Sequence, residues 1–299
     1  MKNKRLLANL GLLLAAFIWG STFVAQSEGV KLVETFTYQS MRSFLGGIVL
    51  LPVIFLLERK SKQKSGYIKP SRKDTELLYI GGICCGLALT LAACLQQYGI
   101  KYTTVGKSGF ITSLYVIFVP IAGLFLKRRV KPKIWFSVVI AAIGMYLLCI
   151  TEELSLSLGD TYVLLSALCF TLHIIVIDYF DQFVDPVKLS CIQFFTSGII
   201  SGILMFIFEQ PSITHILAAW LPICYAGILS SGVAYTLQVV CQKSTEPAIA
   251  SLLMSLESVF AILSGAIVLG QIPTLREAIG CLIMFSAIIL AQIDIRRKN

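Results

Sequence analysis

Apolar residues run along this chain in long unbroken stretches, and polar residues gather in short clusters between them. A helix rises about 1.5 Å per residue, so about 20 apolar residues are needed to cross the hydrocarbon of a bilayer. Ten stretches approach that length: roughly residues 6–25, 34–57, 77–99, 105–126, 134–151, 159–178, 187–208, 218–241, 247–269 and 276–295. The pattern predicts an all-α integral membrane protein of ten transmembrane helices joined by short loops. The third and fourth stretches are divided only by GIKYTTVGKSG. The first begins like a secretory signal, but it continues to about Val24 and no Ala-x-Ala site follows, so it reads as a membrane helix.

Charge orients these helices. With the N-terminus in the cytoplasm, twenty Lys and Arg residues fall on that side, in KNKR, ERKSKQKSGYIKPSRKD, KRRVKPK, Lys188, Lys243 and the terminal RRK. Only Lys31, Lys101, Lys107 and Arg276 fall on the other. The positive-inside bias predicts both termini cytoplasmic, in a multi-pass protein of the cell membrane. TEELSLSLGD and the loop around EQPSITH, with His215, lie outside in this reading. Composition agrees: 14% of residues are charged, against about 25% in soluble domains. The net charge of +9 sits in clusters between apolar runs, with no nucleic-acid motif, so no nucleic-acid partner is expected. The nine cysteines lie in apolar runs without a Cys-x-x-Cys pair, so they read as packing or lipid-facing residues and not as disulfides or metal ligands.

The chain repeats. A first slide of the chain along itself lays LLAAFIWGSTFV (13–24) over LLSALCFTLHII (164–175), and LVETFTYQSMRSF (32–44) over FVDPVKLSCIQFF (183–195). A second, slightly shorter slide lays LQQYGIKYTT (95–104) over LQVVCQKSTE (237–246), so that Gln96 meets Gln238 and Phe118 meets Phe260. Five spans per copy is an odd number, so the second copy enters the membrane from the opposite side. Residues 1–151 and 152–299 are therefore expected to be two five-helix repeats of inverted topology, an architecture that suits alternating access to a midplane site.

The sequence also resembles the EamA family of the drug/metabolite transporter superfamily. The likeness rests on WGSTFV in span one, Arg42-Ser-Phe in span two and ESVFAILSGAIVLGQIPTLREAIGCLIM (257–284), and it extends over the whole chain. It departs from the usual pattern at Ser258, where the family has proline, which removes one reason for a kink. It departs again at Gly270-Gln271, where the family has Gly-Glu. The resemblance implies a secondary carrier for a small polar metabolite, often directed outward. Relatives of this kind handle amino acids, sugars, nucleotide precursors and organic cations.

Polar residues inside apolar spans are costly and mark candidate function. Trp19, Thr22 and Gln26 share one face of span one, and Phe170, His173 and Ser166 form the corresponding stripe in span six. Gln96 and Gln238 are the matched pair of spans three and eight, with Tyr235 and Gln242 beside Gln238. Ser108, Thr112 and Tyr115 line one face of span four. Trp19, Thr22, Arg42, Gln96, Tyr115, Phe170, His173, Tyr235 and Gln238 are thus the candidate substrate-binding residues. A cavity bounded by spans one, three, four, six, eight and nine is expected. Helix packing and interhelical hydrogen bonding are the plainer account of each. Arg42 and Glu257 are the formal charges deepest in spans. Arg42, about two turns from the outer end, either snorkels outward, pairs within the bundle or meets an anionic group. Glu257, with His173 as the alternative, is the candidate proton-coupling residue. The stripe Ser251, Ser255 and Ser258 lies about 100° from Glu257, and only one of these two faces can see the cavity. Gly82-x-x-x-Gly86 and Gly198-x-x-x-Gly202 predict close helix approach.

The leading expectation is a secondary active transporter, an exporter of small polar or amphipathic metabolites such as amino acids. It would work as a monomer or homodimer in the lipid bilayer, with protons as the candidate coupling ion. The alternatives are a lipid scramblase or flippase, and an intramembrane enzyme. Scrambling would favour a polar groove open to lipid. For an enzyme, no His-x-x-x-His or Gly-x-Ser-x-Gly set is present, and Asp178 and Asp181 in DYFD read as a solvated helix end. No nucleotide loop or cofactor motif occurs, so no cofactor or metal is expected.

Overall fold

The computed structural model describes residues 2–63, 71–103, 105–127, 130–149, 157–269 and 274–292. Within them the chain is helical. The first half holds α1 (Lys2–Gly29), α2 (Thr35–Lys62), α3 (Arg72–Ile100), α4 (Val105–Ser113), α5 (Tyr115–Phe125) and α6 (Pro132–Cys149). The second holds α7 (Leu158–Phe180), α8 (Pro186–Phe208), α9 (Ile213–Ala218), α10 (Trp220–Cys224), a π-helix (Tyr225–Tyr235), α11 (Thr236–Gln242), α12 (Pro247–Met254), α13 (Glu257–Leu269) and α14 (Leu275–Gln292). Among the described residues, eight helical stretches are long and apolar enough to cross a membrane, and two shorter apolar helices cover Pro132–Gly144 and Ala278–Ala291. His215, expected in a loop, lies in α9. Gly270-Gln271 and the start of the TEELSLSLGD loop lie outside the described residues.

Local chemistry sets the helix starts. Ser71 and Asp74 form a capping box at α3, and Ser157 and Asp160 form another at α7. Asp185 accepts from the Val187 and Lys188 amides and precedes a proline at the first position of α8. The bundle is polar inside and apolar outside. Gln97, Gln193, Ser113, Ser197 and His173 are buried, whereas Phe125 and Ile267 are each 84% exposed. This is the arrangement expected where the surroundings are lipid.

Helix pairing follows the repeat. Spans four, eight and nine are the composite stretches α4–α5, α10–π–α11 and α12–α13. α3 packs on α7 and α8, while the π-helix packs on α1 and α2. α1 packs on α13, and α4 and α5 pack on α7. α2 pairs with α8 and α6 with α14. Exchanging the helices of the first half, in chain order, for those of the second maps every one of these pairings onto another or onto itself.

The glycine pairs do what their spacing predicts. A β-carbon on Gly86 would lie 2.5 Å from the Thr196 β-carbon and 2.9 Å from the Gln193 carbonyl oxygen of α8. A β-carbon on Gly198 would in turn lie 3.1 Å from the Phe44 ring of α2. We expect Gly86→Val to force α3 off α8 and destabilise the protein by about 2–3 kcal/mol. A thermal unfolding midpoint unchanged from the parent would refute this.

α2 and α8 are also fastened at both ends by repeat-related carboxylates. Glu209 accepts from the Phe36 and Thr37 amides at 2.7 and 2.8 Å, capping α2 in place of Glu34. Glu58, which the first slide lays over Glu209, pairs with Lys188 at 2.5 Å. At the far end of α7 the expectation of a solvated acidic pair fails. Asp178 and Asp181 are 7% and 1% exposed, in a stretch where the chain after α7 packs Val184 into a cluster with Cys85, Leu189 and Val239.

Candidate functional site

One cavity lies at the centre of the bundle. Its wall takes Trp19, Thr22, Phe23 and Gln26 from α1, Arg42 from α2, Gln96 from α3, Thr112 from α4 and Tyr115 from α5. From the second half come Phe170 and Ile174 of α7, Ser230 and Tyr235 of the π-helix, Gln238 of α11, Met254 of α12 and Glu257 of α13. Its volume is about 30 Å³, room for one or two water molecules. Spans one, three, four, six, eight and nine all contribute, as expected, and span two adds Arg42.

Two interrupted helices shape this wall. α4 stops at Ser113 and α5 restarts at Tyr115, while α12 stops at Met254 and α13 restarts at Glu257. The interruptions are repeat-related: the second slide lays Ser113-Leu114-Tyr115 over Ser255-Leu256-Glu257. At each, an amide reaches back three residues instead of four, Leu114 to Ile111 at 3.2 Å and Leu256 to Leu253 at 3.4 Å. The two breaks touch, since Ser113 Oγ donates to Glu257 Oε1 at 3.3 Å and to the Ser255 carbonyl at 3.4 Å. Tyr115 and Glu257 thereby stand at the first positions of the helices that follow the breaks. No proline is needed. Ser255 and Ser258 hydroxyls bond back to the Leu252 and Ser255 carbonyls, each at 2.8 Å, and such back-bonding bends helices. The serine stripe is the packing face, with Ser258 against Met284 of α14, and Glu257 is the cavity face.

Part of the polar wall is satisfied by itself. Gln26 Nε2 donates to Gln97 Oε1 at 2.9 Å and to Gln96 Oε1 at 3.2 Å, and Gln96 Nε2 donates to Thr112 Oγ1 at 3.0 Å. The other part is not. Trp19 Nε1, Gln238 Oε1 and Arg42 Nε and Nη1 are buried without a hydrogen-bond partner, while the Tyr115 hydroxyl stands beside the Glu257 carboxylate. Buried polar groups are nearly always paired, and each left unpaired costs about 1–3 kcal/mol. Here four such atoms belong to residues that line one small space. Aromatic rings frame it: Trp19 lies over Tyr235 with centroids 4.7 Å apart.

Arg42 does not snorkel. It is 3% exposed and faces the cavity, with the Tyr235 ring nearby. Among the described residues no carboxylate oxygen lies within 4.0 Å of its guanidinium. His173 is the candidate that the structure does not bring to the wall. It is fully buried behind Tyr235, with centroids 5.9 Å apart, and its Nε2 sits 3.0 Å from Gln193 Oε1. Phe170, one turn away on the same helix, does reach the cavity. Gln193 occupies the position that the first slide matches to Arg42, so the second half turns this position to His173, leaving Gln193 Nε2 and His173 Nδ1 unpartnered, where the first half turns Arg42 to the cavity. Sequence reasoning missed Ser230. It shares the cavity face with Tyr235 because five residues span about one turn of a π-helix, and no local residue pattern announces that register.

A second, larger hollow of about 750 Å³ lies on the outer surface between α3, α7 and α8. Leu87, Leu91, Leu95, Leu172, Ile200 and Leu204 line it, and the wall is almost wholly apolar. No group of three or more His, Cys, Asp or Glu residues that could hold a metal occurs among the described residues.

Comparison with known proteins bears on this geometry. A family model described as the EamA-like transporter family matches the chain twice, over residues 6–150 and 157–292. An uncharacterized transporter of Archaeoglobus fulgidus is 29% identical over 293 residues, covering 98% of this chain and 88% of its own. The uncharacterized transporter YoaV of Bacillus subtilis is 20% identical over 296 residues, covering 97% of this chain and 98% of its own. A solved crystal structure of 16% sequence identity superposes with a TM-score of 0.76, over 95% of this chain and 96% of that one, and shares the fold.

Proposed function

We propose, for a chain that belongs to the EamA-like transporter family and is thus a membrane transporter, that it is a secondary carrier of small polar or amphipathic metabolites such as amino acids. It would export them from the cytoplasm by alternating access around the central cavity. The observation that carries this reading is the set of unpartnered polar atoms on residues lining it: Trp19 Nε1, Gln238 Oε1 and Arg42 Nε and Nη1. Three of the four are donors, and one group is cationic, so an occupant bearing an anionic group matches them. Trp19, Tyr115, Phe170 and Tyr235 offer contact area for the rest of the solute. The two halves pair symmetrically, and the Lys/Arg distribution favours cytoplasmic termini. Both support ten spans arranged as inverted five-span repeats, 1–151 and 152–299, in the cell membrane.

The scramblase alternative requires a polar groove open to lipid. The outward hollow is apolar and the polar stripes face the central cavity, which favours the carrier. The test is counterflow in proteoliposomes with a panel of labelled amino acids, sugars and organic cations, alongside a fluorescent-phospholipid scrambling assay. We expect counterflow of a carboxylate-bearing solute that falls at least tenfold in Gln238→Ala. Rapid scrambling without counterflow of any panel member would overturn the reading.

A further inference from the structure

The two repeats place a pair of matched clasps at opposite ends of the bundle, and the clasps are unequal. At one end Thr103, just after α3, donates to Asp160 Oδ1 in the first turn of α7 at 2.5 Å. Lys107 of α4 approaches the other carboxylate oxygen at 3.8 Å. At the opposite end Thr245, between α11 and α12, reaches Asn9 Oδ1 of α1 at 3.4 Å. These are the same contact made twice. The first slide lays Asn9 over Asp160 and the second lays Thr103 over Thr245, and these are the two slides that relate the halves. Each clasp ties one half to the other: the first joins the first turn of α7, and the second a point about two turns into α1, to the end of a helix that lines the cavity.

Their chemistry differs. The first clasp has a carboxylate, a short hydrogen bond and a lysine; charge-assisted bonds of this kind are roughly twice as strong as neutral ones. The second has a carboxamide and a hydroxyl at the limit of bonding distance, and the position matching Lys107 is Ile249. Both are closed in this structure, and the cavity between them is small.

We propose that Thr103, Lys107 and Asp160 form the outer gate of the carrier and Asn9 with Thr245 the inner one, and that their inequality biases the resting protein to open toward the cytoplasm. The assignment of outer and inner rests on the topology and carrier reading above. A carrier whose outer mouth is held more firmly waits for solute on the inside, which is the loading side of an exporter. The strong clasp then opens only when the loaded site favours the outward form, because an equilibrium shifts only by the difference in affinity between two states.

The test uses the full chain with its native cysteines replaced and a single reporter, Ser230→Cys, in the cavity wall. A membrane-impermeant, positively charged thiosulfonate is applied to right-side-out and to inside-out vesicles. We expect faster labelling from the inside. Thr103→Val with Lys107→Gln leaves the Ser157–Asp160 capping box intact and should raise outside labelling about tenfold or more, the size expected for losing a charge-assisted bond. Asp160→Asn should act in the same direction, since its carboxamide oxygen can still accept from the Ser157 amide. Asn9→Asp should slow inside labelling by giving Thr245 a charged acceptor. Equal labelling from both faces in the parent, or an inside-to-outside ratio unmoved by the double substitution, overturns the proposal. A protein that keeps the labelling bias and moves no member of the solute panel overturns the carrier reading and leaves the clasps standing.

Discussion

Arg42→Gln should make the protein more stable and nearly inactive. The two effects have one cause. Arg42 presents Nε and Nη1 to the cavity without partners, at 3% exposure and with no carboxylate within reach among the described residues. A buried, uncompensated ion carries a desolvation penalty of several kcal/mol even after relaxation. Glutamine is the residue that the second repeat places at the equivalent position, Gln193, where it is fully buried and bonded to His173. The substitution therefore removes a penalty and introduces a side chain the fold already accommodates. Thermal unfolding in detergent should show a gain of about 1 kcal/mol or more. Solute counterflow should fall by about 100-fold, the size expected when a charged contact of about 2–3 kcal/mol is lost from the bound state. Arg42→Lys should not restore it, because an ammonium lacks the planar fork that two unpartnered guanidinium nitrogens provide. If Arg42→Gln loses stability and keeps counterflow, the guanidinium is a strut and the occupant binds elsewhere.

Much of this site was readable as faces of helices. Trp19, Thr22 and Gln26 recur at helical spacing, and the structure turns all three to the cavity. Gln96 and Gln238 were found by the repeat, and both line the wall. Periodicity gives the face of a residue on its own helix but not the rotation of that helix against its neighbours. That is why Arg42 could be read as snorkelling, and why His173 could be placed beside Phe170 in the wall when it points to Gln193. The interrupted helices were harder to see. Neither carries proline or glycine at the break, so the usual signal of a bent helix is missing. The signal present is a repeated Ser-Leu, residues 113–114 and 255–256, which gains meaning only after the second slide is applied. Asp178 and Asp181 mislead for another reason. A carboxylate pair at a helix end reads as solvated unless the fold of the following turn is known, and here both carboxylates are buried.

Glu257→Gln should uncouple accumulation from the proton gradient while leaving exchange intact. Glu257 begins a half-helix at the cavity wall, 4% exposed, with Ser113 Oγ at 3.3 Å and the Tyr115 phenol beside it. Among the described residues no lysine or arginine lies within 4.0 Å of its carboxylate, so Arg42 and Glu257 do not neutralise one another in this closed form. In the proposed carrier its hydration changes as the two mouths open in turn, because the wall that holds it borders a cavity of only about 30 Å³ here and an aqueous one when either mouth opens. A membrane-buried carboxylate whose access to water alternates is the element that proton relays in transporters use. Glutamine keeps the shape and the acceptor for Ser113 and cannot titrate. With one coupled proton, a gradient of one pH unit sustains about tenfold accumulation, since each unit is worth about 1.36 kcal/mol. The parent protein should approach that ratio in proteoliposomes, and the Glu257→Gln protein should fall to no accumulation while exchanging labelled for unlabelled solute at a rate within a few-fold of the parent. Tyr115→Phe removes the neighbouring hydroxyl and leaves the carboxylate, so gradient-driven accumulation should persist in it. Accumulation by Glu257→Gln with the parent's pH dependence would move the coupling to another group, and the buried His173–Gln193 pair would then be the next to substitute.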